Sequence, residues 1–107
     1  MADEPISPQQ MQSVIQELQS TRSQVQAIAS QINEISLTLN ALSSQDKDRP
    51  VFRAVGNLLL EVDDRDALLA ELGESHASFE SHLEKLMERE SDLVSQYEEM
   101  IESFENQ

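Results

Sequence analysis

The sequence predicts a mainly α fold: an antiparallel two-helix coiled coil with a central β-hairpin connector that joins an intersubunit β-barrel. Three observations predict it. Apolar residues recur in steps of three and four along both halves of the chain. The most apolar and most β-prone stretch, VFRAVGNLLLEV at residues 51–62, lies near the middle. The inventory is also lean, with 38% apolar and 4% aromatic residues and no Trp in 107 residues. That is little with which to fill an ordinary globular core, whereas a coiled coil needs only two apolar positions in seven. The expected organisation is one domain over 1–107, with an N-terminal helix at about 8–44, a hairpin at about 51–62 and a C-terminal helix at about 64–105.

The first helix opens at Pro8, which suits a first helical turn, with Ser7 as its N-cap. Met11, Val14, Leu18, Thr21, Val25, Ile28, Ile32, Ile35, Leu39 and Leu42 then form a heptad seam whose one polar member is Thr21. In the second helix the seam runs Leu69, Leu72, His76, Phe79, Leu83, Leu86, Glu90, Leu93, Tyr97, Met100 and Phe104. Asp63 or Asp64 can cap this helix, and early acids suit the helix dipole.

An antiparallel pairing in which partner numbers sum to 111 fits the two seams together. It places Leu18 against Leu93, Val14 against Tyr97 and Met11 against Met100, and it puts Thr21 and Glu90 in one polar layer. A shift by one heptad would set Glu90 against Val14 or Ile28, which is costly in a dry site. The same register centres the fold-back between Val55 and Gly56.

The connector begins with turn chemistry, SSQDKDRP at residues 43–50. VFRAV and LLLEV then read as two short strands around Gly56-Asn57, a two-residue hairpin signal with Gly at the positive-φ position of a II′ turn. A lone two-stranded hairpin is marginal in water, and its open edges are templates for pairing with other chains. Folding down onto its own helices is the alternative, but the coil end has little surface with which to cover both faces. The assembly surface is therefore expected at Val51, Phe52, Ala54, Val55, Gly56, Leu58, Leu59, Leu60 and Val62.

Charge excludes several functions. Net charge is −14, so phosphate-directed binding of nucleic acid is disfavoured, as is binding to an anionic membrane. The acidity is concentrated from Asp66 onward, where Lys85 and Arg89 are the only basic residues except His76 and His82. No apolar run has transmembrane length, and the acidic start MADEPISPQQ does not read as a secretory signal. A cytoplasmic location is expected.

Catalytic and cofactor chemistry is not expected either. The chain has no Cys, and Gly56 and Gly73 are isolated rather than part of a phosphate-binding loop. His76 and His82 lie on different helix faces, and the carboxylates are scattered over an exposed helix. No catalytic, cofactor-binding or metal-binding residue is assigned, and no enzyme is expected.

The helix ends far from the hairpin form a second apolar region. Ile6, Met11, Met100, Ile101 and Phe104 gather there, and Met and aromatic side chains suit adaptable contact with varied apolar segments. Ile15, Met87, Val94 and Ile101 share one flank of the coil, while Glu17, Gln24, Gln31, His82, Arg89 and Gln96 share the other. The apolar flank reads either as a binding surface or as a widened core stripe or contact between neighbouring coils.

The stretch DRPVFRAVGNLLLEVDDRD, residues 48–66, with VFRAVG followed by LLLEV, resembles the hairpin of prefoldin beta-type subunits. The resemblance extends over most of the chain as helix, hairpin and helix, and the connector has room for one hairpin where alpha-type subunits carry two. It implies a hetero-hexamer of alpha-type and beta-type subunits joined through their hairpins. It also implies an ATP-independent chaperone, or holdase, whose coiled-coil tips capture unfolded proteins, such as actin and tubulin in eukaryotes. Delivery to a group II chaperonin follows from the same resemblance. The Gly-rich C-terminal tail of some archaeal beta subunits is absent from this sequence. The alternative function is a structural coiled-coil adaptor or tether with no client-binding activity. Two-ended hydrophobicity discriminates the two readings, since an adaptor needs only one apolar end.

Overall fold

The structure is a computed structural model that describes residues 6–106. Its elements run α1 (Pro8–Ser44), β1 (Phe52–Val55), β2 (Leu58–Glu61) and α2 (Arg65–Glu105). Two long helices with an antiparallel hairpin between them are the expected fold class. The chain divides into two compact units: one is Ser30–Glu80, and the other comprises residues up to Ala29 together with those from Ser81 onward.

Both helices begin at sequence-encoded caps. Ser7 Oγ accepts from Gln10 N at 3.1 Å, and Gln10 Oε1 accepts from Ser7 N at 2.8 Å. This reciprocal capping box satisfies two amides that a helix start leaves unpaired. For α2, Asp64 Oδ1 accepts from Ala67 N at 3.0 Å, so Asp64 is the N-cap and Asp66 adds a carboxylate in the first turn.

In the unit that holds the chain ends, Val14, Leu93 and Met100 form a buried cluster with Ile6, Met11, Leu18 and Tyr97 packed against it. These include the partners that the 111 register places together. Leu93 is only 1% exposed, and burial of such a side chain contributes roughly 1.5–3 kcal/mol. Thr21 is also buried. Glu90, expected in the same polar layer, accepts with its carboxylate from Arg22 Nε at 2.9 Å. Within the Ser30–Glu80 unit, Leu42 is the buried seam residue, and the other seam residues are half-buried.

The hairpin pairs Phe52 with Glu61, Arg53 with Leu60, Ala54 with Leu59 and Val55 with Leu58. Val62 N donates to Val51 O at 2.8 Å and extends the ladder. Gly56 has φ of 59°, and no other described residue has positive φ. A I′ turn would need positive φ at both loop positions, so the Gly56-Asn57 loop follows the II′ pattern. The fold-back point is therefore between Gly56 and Asn57, one residue beyond the Val55-Gly56 position extrapolated from the coil. The turn chemistry of Gly56 sets the hairpin register. The connecting segments are unequal, 45–51 before the strands against 62–64 after them, so the coil register does not carry through.

Candidate assembly and binding surfaces

In the Ser30–Glu80 unit, every residue of both strands is exposed. Alternation and pairing place Val51, Arg53, Val55, Leu58, Leu60 and Val62 on one face, with Phe52, Ala54, Leu59 and Glu61 on the other. Phe52 is 56% exposed, Leu58 63% and Leu59 72%. Val51 and Val62, at the base, are half-buried. The sheet has two strands, so each presents an outer edge of backbone donors and acceptors. Exposed apolar faces on an edge-rich element mark an association surface rather than a finished core.

Three contacts hold the hairpin and its base. Arg53 reaches Glu71 of α2 with its two terminal nitrogens at 3.3 and 3.5 Å, which ties one sheet face to that helix. Arg65 donates to the backbone carbonyls of Leu42, Gln45 and Asp46. The last turn of α1 has no basic residue of its own, so Arg65 supplies the cation that favours a helix C-terminus. His76, at its seam position, places Nε2 2.9 Å from Ser36 Oγ and Nδ1 3.1 Å from Glu80 Oε1. Both ring nitrogens are engaged within the fold.

The other unit carries an apolar cleft of about 400 Å³, lined by Pro8, Met11, Gln12, Ile15, Ile101 and Phe104. The capping box fixes where α1 begins, which brings Pro8 and Met11 to the rim. On α2, Ile101 and Phe104 are three residues apart and so lie on one helix face. Met11, Ile15, Ile101 and Phe104 thus meet at one cleft. Met100 is 9% exposed and belongs to the buried cluster, which Ile6 and Met11 pack against. Met87 is 52% exposed and Val94 half-buried, and neither lines the cleft. The polar flank is held by an ion pair between Arg89 and Glu17.

Sequence reasoning did not single out Pro8 or Gln12 as lining residues, nor Arg53 and Arg65 as anchors. Gln12 is polar, so a reading of apolar periodicity passes over it although it lies three residues before Ile15. For Arg53 the available signal was a lone charge on an otherwise apolar strand face. No group of three or more His, Cys, Asp or Glu suited to a metal ion occurs among the described residues. No described helix is long and apolar enough to cross a membrane.

Comparison with known proteins agrees with this architecture. The family described as prefoldin subunit matches residues 8–107. Among solved structures, the prefoldin beta2 subunit from Thermococcus strain KS-1 superposes with a TM-score of 0.72 at 22% identity, covering 83% of this chain and 94% of that one. The prefoldin beta subunit from the same strain has a TM-score of 0.56 at 26% identity, covering 94% of this chain and 93% of that one. No curated protein matches. The chain belongs to the prefoldin subunit family of chaperone subunits and has the single-hairpin fold of its beta-type members.

Proposed function

We propose that the chain, acting as one prefoldin-like domain over 1–107, is an ATP-independent holdase subunit of a cytoplasmic hetero-hexameric prefoldin. In this reading the exposed hairpin strands pair with those of alpha-type and other beta-type subunits. Their Phe52 and Leu59 face becomes interior to a shared barrel, while the face of Val55, Leu58 and Leu60, which carries Arg53, turns outward. The cleft at Met11, Ile15, Ile101 and Phe104 takes apolar segments of unfolded proteins, which include actin and tubulin in a eukaryotic cell. Clients then pass to a group II chaperonin. Capture needs no covalent step. Apolar area leaves water on binding, and release needs only competition by a surface that binds the segment more tightly.

The observation that carries this reading is the presence of two separate exposed apolar surfaces, one in each compact unit. A tether that docks through its hairpin has no use for the cleft. The test is to mix the chain with an alpha-type partner, measure the assembled mass, and follow aggregation of a chemically unfolded protein without nucleotide. A stable hexamer that slows aggregation is expected. A chain that remains monomeric with every alpha-type partner, or a hexamer with no effect on aggregation, would refute it.

A further inference from the structure

Carboxylates border the apolar cleft, and the charge near it is one-sided. Ile101, in its lining, has Glu98 three residues before it and Glu105 four after it, the spacings that put side chains beside one another on a helix. Glu102 follows on the adjoining face. All three are exposed, and none is in a salt bridge among the described residues. From Glu90 to the end of α2 there is no Lys, Arg or His. Among the described residues of the same unit, the basic side chains closest in sequence to the cleft residues, Arg22 and Arg89, are already paired with Glu90 and Glu17. An apolar segment seated against Ile101 and Phe104 therefore brings its flanking residues into an uncompensated negative field.

Resting on the holdase reading, we propose that this cleft selects among unfolded chains for short apolar segments flanked by Lys or Arg, and disfavours those flanked by Asp or Glu. The apolar lining supplies affinity that ignores sequence, while the bordering carboxylates supply the discrimination and faster encounter. A second copy of this chain is a poor occupant, because its net charge of −14 adds repulsion. The selectivity is electrostatic and exposed, so salt weakens it on the scale of the Debye length, about 10 Å at 0.1 M ionic strength.

The experiment uses the assembled complex and three fluorescent unstructured peptides with one shared apolar core, flanked by Lys, Ser or Glu. At low salt the Lys-flanked peptide is expected to bind about tenfold or more tighter than the Glu-flanked one. The gap should shrink as salt rises. It should also shrink in a complex carrying Glu98→Gln, Glu102→Gln and Glu105→Gln, with Ser-flanked binding unchanged. Equal binding of all three peptides by the wild-type complex overturns the selectivity while leaving client capture standing. A charge preference that survives the triple substitution overturns the assignment to this cleft. If no peptide binds, both the inference and the holdase reading fail. Loss of assembled mass in Ile101→Ser would then identify the cleft as a contact between copies.

Discussion

Arg65 Nη2 donates to the carbonyl oxygen of Gln45 at 2.8 Å, so the first residue of α2 closes the open end of α1. The same guanidinium also donates to the carbonyls of Leu42 and Asp46. A helix C-terminus leaves its last carbonyls without intrahelical partners, and here they receive a charged donor from across the connector. The contact fixes where the strands begin, because both segments that lead into the hairpin leave from this point.

Arg65→Met keeps the apolar stem and removes the donors. It is expected to cost about 1.5–3 kcal/mol, the range for hydrogen bonds made by a charged group. Arg65→Lys should recover only part of this, since an ammonium lacks the planar fork that reaches several carbonyls. Urea unfolding of the isolated chain measures the difference. A Met variant as stable as the parent would show that water replaces the cap at no cost.

The two glycines should respond to Ala with opposite signs. At Gly56 an added Cβ meets nothing within 4 Å, but φ is +59°. The cost of Gly56→Ala is therefore backbone strain, about 1–2 kcal/mol, and it should appear as faster amide exchange in the strands. Gly73 lies inside α2, and its added Cβ also meets nothing within 4 Å. Gly73→Ala should stabilise by about 0.5–1 kcal/mol, because the unfolded chain loses freedom and the helix gains propensity. A destabilised Gly73→Ala would mean that another subunit or a crossing helix approaches that surface.

Much of this fold was legible because its signals are local and periodic. The seams of α1 and α2 are read from spacing alone, and Gly56-Asn57 identifies the hairpin from two residues. What escaped sequence reasoning depends on where a long side chain goes after the backbone is placed. Glu90 illustrates this. Its seam position suggests a polar layer with Thr21; the Arg22 guanidinium that receives its carboxylate has no signature in the heptad pattern, and it supplies the partner that a half-buried carboxylate needs. Arg65 reaches three carbonyls that have no side-chain signature in the sequence. The cleft follows the same logic, since Gln12 joins it through proximity to the start of α1, not through heptad position.

Glu90 also gives a test of how much an ion pair at a seam contributes. Its side chain is 28% exposed and that of Arg22 55% exposed, so the pair is screened and worth no more than about 1 kcal/mol. Glu90→Leu restores an apolar residue to the seam, and burial of most of that side chain should outweigh the lost pair. A rise in melting temperature of about 4–8 °C is expected, the shift that 1 kcal/mol produces in a domain near this size. A fall would mean that the pair is held more firmly than its exposure implies.

The final prediction separates the two surfaces. Phe52→Ser with Leu59→Asp changes only exposed strand residues, so helix content of the isolated chain should be unaltered while assembly with an alpha-type partner is lost. A carboxylate on a face that becomes interior to a barrel is left buried and unpaired, which is prohibitive at several kcal/mol. Val94→Ser with Ile101→Ser should do the reverse. These two residues share the apolar flank, and only Ile101 lines the cleft. Ile101→Ser removes roughly 1.5–3 kcal/mol of apolar burial from a segment in the cleft, a factor of about ten or more in affinity, and Val94→Ser adds to this only where the segment extends along the flank. Assembled mass should be intact and suppression of client aggregation should fall. If the flank variant assembles and still suppresses aggregation fully, clients bind elsewhere on the subunit. If it fails to assemble, the flank is a contact between neighbouring coils.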